Sequence, residues 1–179
     1  MENFNELTNF YVIGISYRNA DLYTRGKYSL SKEQRLTILK KAQVQSINEI
    51  FISSTCNRTE ICSFADNPSI LVDLLCENSK GDRETFENLG YILKNTEAIN
   101  HIFKVGTGLD SQILGDFEII GQLKNSVNLS KESNLIGNFM ERLMNCVIQA
   151  SKRIKTETKI SSGATSMAYA AVQFITNEV

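Results

Sequence analysis

Short apolar runs and segments with helical spacing alternate along the first half of the chain. Runs of a few residues that are rich in β-branched and aromatic side chains are typical of buried strands. Four such runs predict strands, at residues 10–16, 47–54, 59–65 and 91–93. The pattern therefore predicts a small sheet whose strands are separated by other elements.

Capping signals predict the helices between these strands. Ser31, followed by Gln34, forms a capping box, and it predicts a helix that ends at about Gln45. The pair Asn67-Pro68 is typical of the first positions of a helix. Residues 17–28 are polar, contain a glycine and follow no clear period, so they predict a loop.

The resulting order of elements is β-α-β-β-α-β, which is the ferredoxin-like or split βαβ arrangement. We therefore predict an α+β fold in which helices cover an antiparallel sheet. The second half of the chain changes to a helical pattern, which predicts helices at 95–105, 116–129, 134–159 and 164–175. The sheet is thus expected to be followed by a long C-terminal helical segment.

Charge and composition limit the classes of function. The chain has 179 residues, 42% of them hydrophobic, which is ample for a core, and a formal net charge of −1. No global positive field attracts nucleic acid, so any contact with RNA has to come from a local patch. No apolar run approaches the length of a membrane span, and we expect no membrane partner.

The cysteines indicate a reduced protein without a metal centre. Four cysteines at irregular spacing are expected in a cytoplasmic protein rather than in a disulfide framework. The sequence contains no CxxC pair and one histidine, whereas zinc sites need several ligands at short spacing. We therefore expect no metal.

Residues 52–60 place a thiol, an amide, a guanidinium and several hydroxyls directly after an apolar run. Thiolate is the nucleophilic form of cysteine, and a nearby cation or a set of backbone donors lowers the pKa of a thiol. Arg58, two residues after Cys56, supplies such a cation or holds a substrate carboxylate through two parallel hydrogen bonds. This turn indicates a nucleophile and a clamp for an acidic substrate in one place.

A non-catalytic interpretation of these residues stays open. A cysteine at the end of a strand is often a small buried hydrophobe, and Asn-Arg-Thr is common in turns. His101, the only histidine, suits general acid–base catalysis and equally suits a packed helix position. The glycine-punctuated loop 106–115 resembles a phosphate-binding loop only loosely, because it lacks the preceding strand and the lysine of a P-loop.

Several motifs occur together in one order: STCNRTE at 54–60, HIFKV at 101–105, GLDSQILG at 108–115, GQLK at 121–124 and KTETKISSGATSMAYAAV at 155–172. In this order they resemble the glutamyl-tRNA reductases, and the resemblance covers essentially the whole chain. It implies a V-shaped homodimeric enzyme that opens tetrapyrrole synthesis by reducing the glutamate of glutamyl-tRNA to glutamate-1-semialdehyde with NADPH. It also implies passage of the product to glutamate-1-semialdehyde aminomutase.

The resemblance further implies a domain arrangement. Such enzymes have an N-terminal catalytic domain, an NADPH-binding Rossmann domain and a dimerisation domain that is joined through a long spinal helix. On this basis residues 1–130 are expected to form the catalytic domain, and residues 131–179 the start of the spinal helix and a linker. NADPH is expected to bind a domain that this chain does not contain.

Site residues follow from the same resemblance. Cys56 matches the nucleophile that forms a thioester with glutamate, and His101 matches a histidine that is important for activity. The positions that match substrate contacts are Thr55, Asn57, Arg58, Ser111, Asp116, Phe117, Glu118 and Gln122. The family often has Gly-Glu-Pro-Gln at 115–118, so the correspondence there is weaker, and Tyr17 replaces a common histidine.

The sequence supports three hypotheses. The first is the acyl-transfer half of a glutamyl-tRNA reductase. The second is a cysteine hydrolase that uses Cys56 and His101 on simple activated esters. The third is a binding or dimerisation module in which Cys56 is structural, and it predicts that Cys56→Ser leaves every function intact.

Overall fold

The computed structural model describes residues 8–116, 118–158, 160, 174 and 176. Its strands are β1 (Phe10–Ser16), β2 (Ile50–Ser54), β3 (Arg58–Phe64) and β4 (Tyr91–Lys94). They form one sheet in the order β2-β3-β1-β4, and every neighbouring pair is antiparallel. The predicted ferredoxin-like α+β arrangement is confirmed.

Seven helices lie within the described residues: α1 (Leu22–Tyr28), α2 (Lys32–Val44), α3 (Ser69–Asn78), α4 (Arg83–Leu89), α5 (Thr96–Gly106), α6 (Glu118–Glu132) and α7 (Asn138–Glu157). The capping box that predicts α2 is present, with Ser31 and Gln34 bonded reciprocally. The 20 residues of α7 confirm the long C-terminal helix. The helix predicted at 164–175 lies outside the described residues except for Phe174.

The prediction of a loop over residues 17–28 is wrong in its second half, where α1 lies. The side chain of Asp21 accepts a hydrogen bond from the Thr24 backbone nitrogen at 2.7 Å and starts this helix. Only Tyr28 of α1 is buried, so the helix carries no apolar period that a sequence pattern would reveal. Helix α4, which the pattern does not predict, begins in the same way at Asp82.

The sheet separates two apolar clusters because successive side chains of a strand point to opposite faces. Ile13 and Ile61 belong to the cluster that packs against α1–α4. Val12 and Cys62 belong to the cluster formed with α5, α6 and α7. This second face is the one on which the charged residues of β3, Arg58 and Glu60, lie.

Helix α7 packs closely on α5. Val147 fills the space above Gly106, where an added Cβ would lie 2.3 Å from the Val147 Cγ1 atom. The first half of α7 is therefore part of the core that supports the sheet. In the part of the chain that the structure describes, no helix combines the length and the apolar character that crossing a membrane requires.

Candidate active site

Cys56 lies at the tip of the hairpin that connects β2 to β3, and it is exposed. The turn is closed by a hydrogen bond from the Thr55 nitrogen to the Arg58 oxygen at 2.8 Å. The Thr55 hydroxyl also accepts hydrogen bonds from the backbone nitrogens of Asn57 and Arg58, each at 3.2 Å. A well-fixed backbone thus presents the thiol to solvent.

A cleft of about 180 Å³ adjoins this turn. It is lined by Thr55, Cys56, Asn57, Arg58, Asp110, Ser111, Asp116, Glu118, Ile119 and Gln122. Seven of the positions that match the family's substrate contacts are therefore brought together around the thiol. The eighth, Phe117, lies outside the described residues.

The far wall of this cleft is a closed loop followed by the start of α6. Gly108 and Gly115 have φ angles of +74° and +80°, a region that glycine adopts without steric cost. The nitrogen of Gly115 donates to the oxygen of Gly108 at 3.0 Å and closes the loop. Asp116 accepts a hydrogen bond from the Glu118 nitrogen at 3.0 Å, which fixes the beginning of the helix.

The guanidinium of Arg58 is buried behind the turn, with 2% of the residue exposed. Its Nη1 atom donates to Glu60 Oε1 at 3.2 Å and to Asp110 Oδ2 at 3.1 Å. Its Nη2 atom donates to the backbone oxygen of Asp110. Arg58 therefore contacts the protein's own carboxylates, and its contact with a substrate carboxylate stays a prediction.

Glu60 is the centre of a buried polar network. Its Oε1 atom lies 2.5 Å from the Tyr91 hydroxyl and 2.6 Å from His101 Nε2, in addition to the Arg58 contact. Burial alone would raise the pKa of Glu60, but the hydrogen bond and charge of His101, the charge of Arg58 and the Tyr91 hydrogen bond lower it to about 2. The carboxylate is therefore ionised near neutral pH.

Asp110 connects this network to the surface. Its Oδ1 atom accepts from Arg18 Nε at 2.5 Å, and its Oδ2 atom accepts from Arg58. Burial acts to raise the pKa of Asp110, while the charges and hydrogen bonds of Arg58 and Arg18 lower it. Two arginines thus hold an anion at the boundary between the Cys56 turn and the helix that carries His101.

The side chains of this network have room because β1 has a glycine opposite Glu60. Gly14 pairs with Glu60 on one side and with Tyr91 on the other. A Cβ at Gly14 would lie 2.8 Å from the Glu60 Cγ atom and 3.1 Å from the Tyr91 hydroxyl oxygen. Without a side chain there, the Tyr91 hydroxyl and the Glu60 carboxylate meet across the central strand.

His101 lines a second and larger cleft of about 550 Å³. The residues around this cleft are Ser16, Arg18, Asn19, Tyr91, Leu93, His101, Lys104, Leu109 and Asp110. Asp110 is the residue that lines both clefts. The two predicted catalytic residues therefore border neighbouring clefts rather than one.

The sequence interpretation missed Glu60, Tyr91, Asp110 and Arg18 as members of the site. One signal was present: Arg58 and Glu60 are two residues apart in one strand, so they share a face whose other residues, Cys62 and Phe64, are apolar. A buried charge on that face needs an opposite charge nearby, and His101 was the available titratable group. Nothing local in the sequence indicates Asp110 or Tyr91 as the further partners.

Gly106, the first glycine of the glycine-punctuated segment 106–115, does not fit a dinucleotide site. Gly106 is the last residue of α5 and makes room for Val147, whereas a dinucleotide fingerprint lies between a strand and the start of a helix. Among the described residues, no group of three or more His, Cys, Asp and Glu side chains is arranged to hold a metal ion.

Residues 13–158 match the sequence model of the family described as "Glutamyl-tRNAGlu reductase, N-terminal domain". The chain is 55% identical over its whole length to glutamyl-tRNA reductase 2 of Flavobacterium johnsoniae, of which it covers 42%. It is 33% identical to glutamyl-tRNA reductase of Aquifex aeolicus, with 91% of this chain and 41% of that protein aligned. The chain thus spans about two fifths of the length of the curated relatives it matches.

A solved structure shares the fold. Glutamyl-tRNA reductase from Methanopyrus kandleri superposes with a TM-score of 0.76 at 24% identity, over 96% of this chain and 40% of that one. The family match over residues 13–158 includes the hairpin that carries Cys56 and the loop before α6. It also includes the four strands, apart from the first three residues of β1. The chain belongs to the family of glutamyl-tRNA reductase N-terminal domains.

Proposed function

We propose that this chain carries the acyl-transfer half of the glutamyl-tRNA reductase reaction. In the complete reaction, glutamyl-tRNA is reduced with NADPH to glutamate-1-semialdehyde, the first step of tetrapyrrole synthesis. The observation that carries the proposal is the small cleft around the exposed thiol of Cys56, where seven positions that match the family's substrate contacts converge.

The proposed chemical step is attack by the Cys56 thiolate on the ester carbonyl that joins glutamate to the terminal ribose. A bond forms between Sγ and the carbonyl carbon, and the bond from that carbon to the ribose oxygen breaks. The ribose oxygen leaves as an alcohol after it takes up a proton. A covalent thioester divides one difficult reduction into two easier steps.

His101 is the proposed source of the proton for the leaving ribose oxygen. It borders the larger cleft, which adjoins the Cys56 cleft at Asp110. We assign the glutamyl group to the smaller cleft and the terminal nucleoside to the larger one. Arg18 and Lys104, which line the larger cleft, are suited to contact phosphate.

The remaining parts of the reaction are assigned to the portion of the relatives that this chain does not span. We propose that NADPH binds there, since the glycine-punctuated segment 106–115 lacks the strand-before, helix-after context of a dinucleotide site. A homodimer in the full-length protein and transfer of the product to glutamate-1-semialdehyde aminomutase belong to the same proposal. No hydride step is assigned to the residues of the two clefts.

The test is intact-mass analysis of the chain after it is mixed with glutamyl-tRNA. We expect a glutamyl adduct on the wild type and none on Cys56→Ser. Cys146→Ser is the matched control, because Cys146 is also an exposed cysteine but lies on α7, and this variant should keep the adduct. An adduct that survives in Cys56→Ser, or that disappears in Cys146→Ser, would contradict the assignment of the nucleophile.

A further inference from the structure

We propose that Glu60 is a positioning residue that holds His101 with its proton on Nε2, so that Nδ1 is the nitrogen that exchanges a proton with the substrate. The proposal deepens the proposed function, and only its kinetic test rests on that function. It assigns a role to a buried residue that touches His101 and does not itself line either cleft.

The hydrogen-bond chemistry of the contact fixes the position of the proton. Glu60 Oε1 lies 2.6 Å from His101 Nε2, and an ionised carboxylate only accepts hydrogen bonds. Nε2 must therefore donate, whether the imidazole is neutral or protonated. A neutral His101 is then left with its lone pair on Nδ1. Nδ1 takes up a proton from solvent, and the protonated imidazole passes that proton to the leaving ribose oxygen.

Two further donors hold the carboxylate in place. The Tyr91 hydroxyl and Arg58 Nη1 bind the same oxygen that His101 binds. The Tyr91 ring also packs against the imidazole, with 5.4 Å between the ring centroids. Glu60 is 3% exposed and has room for its side chain because Gly14 has none. Rotation of the carboxylate would break these contacts, so the imidazole is held in one orientation.

The other imidazole nitrogen, Nδ1, is available to groups in the larger cleft. Nδ1 lies 3.9 Å from Asp110 Oδ2, beyond hydrogen-bond distance. The buried side-chain polar atoms without a partner among the described residues are Arg35 Nε, Ser53 Oγ and Ser130 Oγ. His101 Nδ1 is not one of these buried atoms without a partner. It lies on a residue that lines the larger cleft together with Asp110.

An amide at position 60 would remove this control. Glutamine has nearly the shape of glutamate, but its terminal group both donates and accepts hydrogen bonds. Glu60→Gln also removes the negative charge that holds Arg58 Nη1 and the Tyr91 hydroxyl on one oxygen. The neutral amide is then free to turn and satisfies either form of the imidazole, so we expect the proton of neutral His101 to be distributed between both nitrogens. Tyr91→Phe removes a different donor from the same carboxylate oxygen and keeps the contact between Glu60 and His101, which makes it the matched control.

The direct test is nitrogen-15 NMR of the imidazole in the 179-residue chain, and His101 is its only histidine. In the wild type and in Tyr91→Phe we expect the neutral ring to give a protonated Nε2 signal and an unprotonated Nδ1 signal. In Glu60→Gln the two shifts should move toward each other. A proton on Nδ1 in the wild type, or an unchanged pair of shifts in Glu60→Gln, would overturn the proposal.

A second variant covers the case in which Glu60→Gln does not fold. Glu60→Asp keeps the charge beside Arg58 but withdraws the carboxylate from Nε2. We expect it to give the same mixture of imidazole forms. If Glu60→Asp retains the wild-type pair of shifts, the contact with Nε2 does not control the proton and the proposal fails.

A kinetic test separates positioning from a general structural effect. Formation of the thioester from glutamyl-tRNA should slow about twofold to tenfold in Glu60→Gln, because only the fraction of His101 with its free nitrogen at Nδ1 contributes to general acid–base catalysis. Acylation by a glutamyl ester of a nitrophenol should change little, because that leaving group needs no proton. Equal losses on both substrates would overturn the proposal. If the wild type is acylated by neither substrate, the proposed function fails while the NMR result stands.

Discussion

The two clefts that meet at Asp110 are built in opposite ways. The Cys56 cleft is small, and its thiol lies on an exposed turn that is held by backbone hydrogen bonds. The larger cleft is backed by a network of buried charges that fixes one imidazole. The difference indicates that the nucleophile depends on access, whereas the histidine depends on its orientation.

The two clefts should also differ in how much stability a substitution costs. At the exposed tip of the turn a change of side chain at Cys56 should be tolerated, because no buried charge depends on it. A buried network is sensitive to the loss of one member, since each remaining charge is then left without a partner at low dielectric. Substitutions in the network should therefore cost more stability than substitutions at the surface.

The largest effect is expected from Arg58→Met. This change leaves Glu60 and Asp110 near each other without the cation that binds both. Removing one partner of a buried ion pair typically costs about 3–5 kcal/mol, and we expect a loss of that size in the free energy of unfolding in urea.

Arg83→Met is the matched control for that experiment. Arg83 also binds two carboxylates, those of Asp73 and Glu87, but at the surface. Ion pairs in water contribute little to stability, so this variant should unfold close to the wild-type midpoint. Similar losses in both variants would show that burial of the Arg58 network is not what makes it sensitive.

A smaller loss in the free energy of unfolding is expected at acid pH. Because the pKa of Glu60 is lowered from 4.5 to about 2, its contribution to stability is complete above about pH 4.5 and is lost as the pH falls toward 2. The linkage amounts to at most about 3 to 4 kcal/mol. Urea unfolding across this range should show a steeper decline for the wild type than for Glu60→Gln. Parallel curves for the two proteins would show that Glu60 is not the source of the acid sensitivity.

The smallest effect is expected from Lys104→Ala, which changes only the larger cleft. If that cleft holds a phosphate-bearing part of the tRNA, the KM for thioester formation should rise about threefold to tenfold, and less at high salt. The rate at which iodoacetamide alkylates Cys56 should not change. Lys94→Ala is the control, because Lys94 lies on β4 over the Tyr11 ring and outside that cleft. Equal changes in both lysine variants would contradict the assignment of the larger cleft.

Most of the fold was predictable because its signals are local. The run 10–16 coincides with β1, since a buried strand has to be apolar over its own length. The run 91–93 lies within β4, a partly exposed edge strand. Helices α1 and α4 were not predicted because their signal is one capping aspartate each, at Asp21 and Asp82. A cap marks where a helix begins, but without an apolar period it does not show that a helix follows.

The site was predictable only where its chemistry is contiguous in sequence. The Cys56 turn concentrates its functional groups within a few residues, so the sequence alone indicates it as a candidate. The partners of Glu60 are distant, with Tyr91 31 residues and His101 41 residues away. Their meeting depends on the register of three strands and on the placement of α5, which periodicity does not specify.

The sequence separation within the buried network bears on how the protein folds. The ion pair between Arg18 and Asp110 spans 92 residues, and contacts of such long range close late because chain entropy opposes them. During synthesis, Cys56 leaves the ribosome well before Asp110 does. A nascent chain therefore exposes its thiol early, and it acquires the oriented imidazole only when residues 8–116 have been assembled around the sheet. Completion of folding, rather than the presence of the thiol, sets the moment at which the two clefts exist side by side.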